Sequence, residues 1–332
     1  MMKKAITLIS GGLDSTLAAR LIKEQNIDII PLNFKIPFCH RDKKTKDKLS
    51  WVVDALGLEP KRVDISNEFL GLLNNPPHGF GANMNPCIDC KILMLRKVRD
   101  LMEQQGVSFV VTGEVLGQRP MSQYKQALKI IERESGLEGL VLRPLSAKLL
   151  PETIPEGEGW VDRNKLLDFN GRSRKAQIDL AKRFNIRDYP NAASGCLLTD
   201  PEFTKRLKDI INYQGLTPNN IELLKLGRHF RLTPNTKLIV GRNEQENEAL
   251  INLAQKNDYL FLPNDELAGP TSLGRGVFSE ELLKLACRIT CRYCDLNGKV
   301  NADIIYRRIP ETEEKKLSVN ASLDLELNNL RI

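Results

Sequence analysis

The chain has 332 residues, 41% hydrophobic and 27% charged, a balance that belongs to a soluble globular protein, and no apolar run approaches the ~20 residues needed to span a bilayer. Its net charge of +7 and pI near 9.0 favour polyanionic partners, although such an excess is also ordinary on proteins that bind none. The seven cysteines argue for reduced thiols, metal ligands or catalytic sulfur rather than a disulfide framework in a chain expected in the cytoplasm, since the apolar stretch before the first glycines is too short for a signal peptide.

In chain order, residues 3–9 read as a buried strand, 15–25 as a helix and 27–33 as a second strand. An amphipathic helix over 43–57 follows, with Leu49, Val52, Val53 and Leu56 inward, and then a strand over 60–65. Such alternation predicts a parallel sheet wrapped by helices. A loop rich in Asn, Pro and Gly spans 74–81, and a helix over 89–105 and a strand over 107–112 resume the pattern. After the 139–145 segment comes a Pro-containing loop, then a helix near 173–185. The first domain is expected to end near residue 200. From there the pattern changes to a smaller α+β unit over 201–310, with a helix, an apolar strand at 237–241, a helix at 244–256 and a short strand at 258–262. Residues 311–332 read as a charged, loosely ordered tail.

The densest chemistry lies between the first strand and helix: Ser10-Gly11-Gly12-Leu13-Asp14-Ser15-Thr16. Glycines let a phosphate approach the backbone, the helix start adds a positive partial charge, and the hydroxyls of Ser10, Ser15 and Thr16 are further donors. The Gly-Lys-Ser/Thr ending of a Walker loop is absent, as is the dinucleotide Gly-x-Gly-x-x-Gly spacing. The plain competing reading is a glycine-rich turn. Asp14 is placed to hold Mg²⁺ or a substrate group; otherwise it is an acid favouring the helix dipole.

Cys87-Ile88-Asp89-Cys90 sets two thiols at a helix start, which favours the thiolate; the pair suits a redox couple, half a zinc site or two iron–sulfur ligands. A third thiol, Cys196, lies at the far end of the same domain. Cys287, Cys291 and Cys294 have the spacing of radical-SAM ligands but close a small terminal domain, so that reading is rejected, leaving a metal site completed by a fourth ligand or helix-borne thiols that bind nothing. Cys39-His40 reads as incidental.

The Ser10–Thr16 loop resembles the pyrophosphate loop (PP-loop) of ATP pyrophosphatases. In that family it holds the β- and γ-phosphates of ATP while the α-phosphorus is attacked, so Ser10, Gly11, Gly12, Asp14, Ser15 and Thr16 are the implied ATP ligands. Asn85-Pro86-Cys87-Ile88-Asp89-Cys90-Lys91 resembles the cysteine motif of tRNA 2-thiouridylases, with Cys90 and Cys196 at the two catalytic positions. Gly113-Glu114-Val115-Leu116-Gly117-Gln118 and Leu142-Arg143-Pro144-Leu145 resemble segments of tRNA 4-thiouridine synthases. Gly113 and Gln118 follow a strand, where ligands bind in open α/β sheets. The likeness implies a [4Fe–4S] cluster on Cys87, Cys90 and Cys196, or in its place a persulfide on Cys196 with Cys90 resolving it. Leu238 to Asn247, Asp258, Ala268-Gly269-Pro270 and Arg275 resemble the RNA-binding domain of NFACT proteins. Lys225, Arg228, Arg231, Lys237 and Arg242 then read as phosphate contacts, with a second basic patch at Arg172, Arg174 and Lys175 nearer the ATP loop.

Together these resemblances imply an ATP- and Mg²⁺-dependent tRNA sulfurtransferase of the 4-thiouridine or 2-thiouridine type. Asp14, Cys90 and Cys196 are its catalytic residues and Arg172, Arg174 and Arg242 its RNA contacts. The expected partners are tRNA, a protein persulfide or sulfide as sulfur donor, no membrane, and a second copy of the chain in a homodimer. The rivals are sulfur or nitrogen transfer to a small molecule and a non-catalytic RNA- or ribosome-binding adaptor.

Overall fold

A computed structural model describes residues 3–38, 49–190, 195–265 and 267–332, with the side chain of Asp324 left out. The chain divides into two compact units, one ending at Thr199 and one beginning at Asp200.

In the first unit, β1 (Lys4–Leu8), α1 (Leu13–Lys23), β2 (Asp28–Lys35), α2 (Ser50–Leu56) and β3 (Lys61–Asp64) succeed one another. α3 (Ser66–Asn74), α4 (Cys87–Gln105), β4 (Phe109–Val111), α5 (Lys125–Ser135), β5 (Val141–Leu142), α6 (Ile154–Gly157) and α7 (Lys175–Arg183) complete it. All strand pairs are parallel, in the order β3-β2-β1-β4-β5. Two apolar layers sandwich the sheet: one gathers Leu13, Leu17, Phe109 and Val111, the other Ile6, Ile92, Leu95, Val110 and Ile131. Burial on both faces is why the central strand β4, Phe109-Val110-Val111, is wholly apolar, whereas the edge strand β3, Lys61-Arg62-Val63-Asp64, is not. Chain order reverses between β1 and β4, and ligands of open α/β sheets bind outside the carboxyl ends at such a point. Both the Ser10–Thr16 loop, after β1, and the Thr112–Gln123 loop, after β4, lie there. The first part of the expected 43–57 helix, and Cys39-His40, lie outside the described residues.

The second unit runs α8 (Pro201–Tyr213), α9 (Pro218–Leu224), β6 (Arg228–Thr233), β7 (Thr236–Val240), α10 (Glu244–Leu253), β8 (Tyr259–Pro263), β9 (Ser272–Gly276) and α11 (Glu280–Arg292). β10 (Asn301–Arg308), β11 (Lys315–Asn320) and α12 (Asp324–Leu330) end it. The strands form one six-stranded antiparallel sheet, β11-β10-β8-β9-β7-β6. Phe230, Leu238 and Phe261 pack with Ala286 and Ile289 of α11. Residues 311–332 are therefore not a loose tail: β11 pairs with β10 from Asn301↔Asn320 to Tyr306↔Lys315, and buried Val319 and Leu327 join the core. Exposed polar residues at every second position, Lys316, Ser318 and Asn320, mask this strand in the sequence, because a one-sided strand needs only every second residue apolar. No helix among the described residues is long and apolar enough to cross a membrane.

Candidate active site

The glycine loop is braced by its own hydroxyls. Ser15 Oγ donates to the Gly12 carbonyl (2.8 Å) and accepts from the Ser10 amide (3.2 Å), while Thr16 Oγ1 donates to the Gly12 carbonyl (3.3 Å). Ser15 and Thr16 are buried, so these hydroxyls shape the loop more than they reach outward. Gly11 has φ of +77°, a conformation glycine adopts without strain. α1 has no side-chain cap at Gly12, which leaves its first-turn amides to an anion.

Gly113 meets this loop from the other side of the sheet's reversal. A Cβ there would lie 2.4 Å from the Ser15 amide nitrogen and Cα, so glycine is required for the β4 loop to pass the start of α1. Its role is close packing. Gln118, 104 residues from Asp14, donates from Nε2 to Asp14 Oδ2 at 3.0 Å. Asp14 Oδ1 is buried and has no hydrogen-bond partner. Burial pushes the Asp14 carboxyl's pKa up, while Gln118, Arg174 and Arg119 pull it down. A buried orphan acceptor flanked by two arginines, at the mouth of an anion-binding loop, fits a cation-bearing polyphosphate.

Arg174 thus stands within electrostatic range of Asp14. The chain path explains it: Leu116 bridges Asn170 in parallel, and the Gly171 amide donates to the Leu116 carbonyl at 2.7 Å. The 170–174 segment is thereby held against the β4 loop. Arg172 in the same segment is exposed. Arg119 was not singled out by the sequence reading; the available signal was its place directly after Gln118 at the carboxyl end of a parallel strand.

The thiol pair sits on the first turn of α4, and both thiols are half-buried. Asn85, buried, donates from Nδ2 to Cys87 Sγ at 3.4 Å. The Cys196 segment is tied to the same region: the Leu197 amide donates to the Phe38 carbonyl (2.8 Å), and Asn83 Nδ2 donates to the Thr199 carbonyl (2.8 Å). Among the described residues, however, no group of three or more Cys, His, Asp or Glu side chains is arranged to hold a metal ion. In this arrangement Cys87, Cys90 and Cys196 therefore do not form a ligand cage. Asp89 anchors the preceding loop, accepting from the His78 amide (3.1 Å) and meeting His78 Nδ1 at 2.7 Å; His78 Nε2 lies 3.2 Å from Glu134. The Asp89 hydrogen bond is the main reason the His78 pKa is raised.

Next in sequence to Cys90 begins an ionic chain centred on buried Glu114 and Arg143. Lys91, one residue after Cys90, lies 3.4 Å from Glu114 Oε1; Arg143 Nε donates to Glu114 Oε2 at 3.0 Å, and Arg143 also pairs with Glu132. Burial works against the Glu114 anion, yet Lys91 and Arg143 hold its pKa down at about 2. The three motifs read as separate in the sequence are therefore locked together by charge.

In the second unit, several basic residues expected at phosphates are already spent. Asp209 accepts from Arg231 at 2.9 and 2.6 Å and from Lys237 at 2.8 Å, and Lys237 is 2% exposed. Lys225 pairs with Glu222 at 2.6 Å, and Arg275 with Asp258 at 2.6 Å. Arg228 lies over the Tyr293 ring, 4.5 Å from its centre. Arg242 pairs with Glu246 at 3.1 Å but keeps its side chain 45% exposed. Cys287 and Cys291 are buried in the core against β10 and β11; burial pushes Cys287 and Cys294 up to about 12.

Comparison with known proteins agrees with this division. Residues 1–148 match the family described as thiamine biosynthesis protein (ThiI), and residues 227–331 the family described as NFACT protein RNA binding domain. The two matches thus fall on separate parts of the chain, the first within the parallel-sheet unit and the second within the antiparallel-sheet unit. Among curated proteins it is similar to the tRNA-specific 2-thiouridylase MnmA of Petrotoga mobilis, 26% identical over 231 residues, covering 62% of this chain and 59% of that protein. It is also similar to a probable tRNA sulfurtransferase of Thermococcus kodakarensis, 24% identical over 147 residues, covering 43% and 36%. The match thus spans less than two thirds of either relative's length. Of solved structures, the U34-tRNA thiolase NcsA from Methanococcus maripaludis with its [4Fe-4S] cluster matches at 16% identity, covering 67% of this chain and 70% of that one, with a TM-score of 0.31, too low to bear on fold or function.

Proposed function

We propose that the protein is an ATP-dependent tRNA sulfurtransferase that adenylates a uridine oxygen and replaces it with sulfur. The observation that carries this reading is the convergence, at one sheet's reversal, of the glycine loop, the unpartnered Asp14 Oδ1 with Gln118, and a cysteine turn locked to the same β4 loop through Lys91 and Glu114. The thiouridylase and sulfurtransferase names of the relatives support it.

The loop amides and α1 start bind the β- and γ-phosphates, and Arg119 and Arg174 neutralise charge that builds on pyrophosphate as it leaves. Mg²⁺, when bound, would shield the polyphosphate, with Asp14 Oδ1 as its protein ligand. The uridine O4 or O2 attacks the α-phosphorus, pyrophosphate departs, and the oxygen becomes part of an AMP leaving group. The terminal sulfur of a Cys196 persulfide, supplied by a protein persulfide or sulfide with an oxidant, attacks that carbon and AMP leaves. Cys90 thiolate then attacks the Cys196 sulfur, releasing the thiocarbonyl and forming a Cys90–Cys196 disulfide that an external thiol must reduce. A [4Fe–4S] cluster would need Cys87, Cys90 and Cys196 drawn into one ligand set, and iron and sulfide analysis after anaerobic purification decides between cluster and persulfide. Arg172 and Arg242, both exposed to solvent, serve tRNA phosphates, and the work is done in the cytoplasm.

The test is nucleoside mass spectrometry of total tRNA from cells lacking the gene. Loss of one thiolated uridine, restored by the gene and not by its Cys196→Ala variant, is the expected result; an unchanged profile sinks the proposal. A second reading, sulfur transfer to a small molecule, draws on the thiamine-biosynthesis description of the matching family. Pyrophosphate release that needs no tRNA would favour it.

A further inference from the structure

Asn85 is buried in the turn before α4, and its carboxamide joins its own segment to the distant β4 loop. Oδ1 accepts from the Asn83 amide at 3.2 Å; Nδ2 lies 3.4 Å from Cys87 Sγ and 3.6 Å from Met121 Sδ. The orientation of the amide is fixed by this set, because a backbone N–H can only donate and so must face the oxygen, which turns the NH₂ toward both sulfurs. Asn83, held by Oδ1, in turn donates its side-chain NH₂ to the Thr199 carbonyl, three residues beyond Cys196.

Met121 belongs to the β4 loop that carries Gln118. That loop is closed on itself by the Gly117 amide donating to the Gln123 carbonyl (2.6 Å) and by the Gln123 amide donating to the Arg119 carbonyl (3.1 Å). Gln118 and Met121 therefore move as one piece, and whatever binds at Asp14 and Gln118 acts on the atom that Asn85 touches. The Asn85 site is also tightly built: a Cβ on Gly81 would lie 2.4 Å from Asn85 Nδ2. A buried amide would be satisfied more simply by carbonyl acceptors than by two weakly accepting sulfurs from separate segments.

From this geometry we infer that Asn85 is a positioning residue that holds the Cys87 sulfur, and with it the first turn of α4 that carries Cys90, in register with the nucleotide loop, so that Cys90 and the adenylated base stay aligned. It rests on the sulfurtransferase reading above and names a device within that site. Asn85 takes no part in phosphate binding, so its loss uncouples sulfur delivery from adenylation rather than stopping adenylation.

Two variants separate this from a merely structural role. Asn85→Asp keeps the acceptor for the Asn83 amide and removes the donor to sulfur; Asn85→Leu removes both. In the full-length protein with tRNA and ATP, each is expected to release pyrophosphate within about twofold of the parent, while thiouridine formed per pyrophosphate falls on the order of tenfold. Independently of turnover, adding ATP with Mg²⁺ and no tRNA is expected to change the rate at which iodoacetamide alkylates Cys87 by about fivefold in the parent, and to leave it unchanged in both variants. An unaltered thiouridine-to-pyrophosphate ratio, or the same ATP effect on Cys87 in parent and Asn85→Asp, overturns the inference. Equal losses of both products and of folding in Asn85→Asp, seen by circular dichroism, overturn it as well. Should the parent form no thiouridine, the sulfurtransferase reading fails, while the ATP dependence of Cys87 alkylation still decides the role of Asn85.

Discussion

Two Cys-x-x-Cys pairs occur in this chain, and their surroundings are opposite. Cys87 and Cys90 open α4 at the carboxyl end of a parallel sheet, half-buried, with Asn85 aimed at one sulfur and Lys91 next in sequence. Cys291 and Cys294 close α11, with Cys291 donating toward the Val319 carbonyl at 3.6 Å and Cys294 toward that of Thr290 at 3.4 Å. The same division runs through the charges. In the first unit Asp14 keeps an unpartnered buried oxygen, whereas in the second Asp209 takes three nitrogen contacts from Arg231 and Lys237. Chemistry is to be sought where polar groups are left unsatisfied, and residue type with spacing does not reveal which groups those are.

Breaking the reactive side of this contrast should give the largest effects. Cys196→Ala is expected to abolish thiouridine formation, a loss of roughly a thousandfold or more, while tRNA-dependent pyrophosphate release continues. Asp14→Asn, which preserves shape and removes the charge, should lower pyrophosphate release on the order of a hundredfold, measured with an enzyme-coupled phosphate assay. If Asp14→Asn retains parental turnover, the orphan oxygen is not part of the site.

The ionic chain centred on Glu114 and Arg143 makes the next prediction. Arg143→Ala leaves buried Glu114 and partly buried Glu132 with one partner fewer, which costs about 3–5 kcal/mol. For a domain of this size that corresponds to a melting point lower by roughly 6–20 °C. A fall of less than a few degrees by differential scanning fluorimetry would show that water reaches Glu114. On the inert side, Cys287→Ala removes a fully buried sulfur from the second core and should cost about 1–2 kcal/mol with full thiolation activity retained. A loss of activity without loss of stability would reverse the contrast between the two cysteine groups.

Much of the first unit was legible because its central strands β1 and β4 are largely apolar, and the Ser10–Thr16, cysteine and Gly113–Gln118 motifs each fall on one connection. Their joining was not, since it depends on pairs such as Gln118 with Asp14, 104 residues apart. In the second unit β10 and β11 escaped notice because half their residues face solvent, as Lys316 and Ser318 do. Lys237 and Arg231 looked like phosphate contacts because charge counting cannot see Asp209, 28 and 22 residues earlier. Cys287 and Cys291 are four apart on a helix and so share its buried face. That periodicity was present in the sequence, but it competed with metal-ligand spacing.

The smallest predicted effect concerns that mistaken lysine. Burial of the Lys237 ammonium pushes its pKa down to about 8, only partly opposed by Asp209, from an ordinary value of 10.5. Between those two pH values the unfolded chain holds a proton on this side chain that the folded chain has given up, so stability contributed by this group rises with pH across that window. A lysine on the surface bound to phosphate would do the reverse, its charged form being favoured by folding or binding. Lys237→Met removes the titration and leaves Asp209 held by both guanidinium contacts of Arg231. Melting curves of parent and variant, taken from pH 7 to pH 10, are therefore expected to converge or cross in the parent's favour as pH rises. A difference that stays constant with pH would mean that Lys237 remains charged in the fold, and that the second unit has a cation to offer a nucleic acid after all.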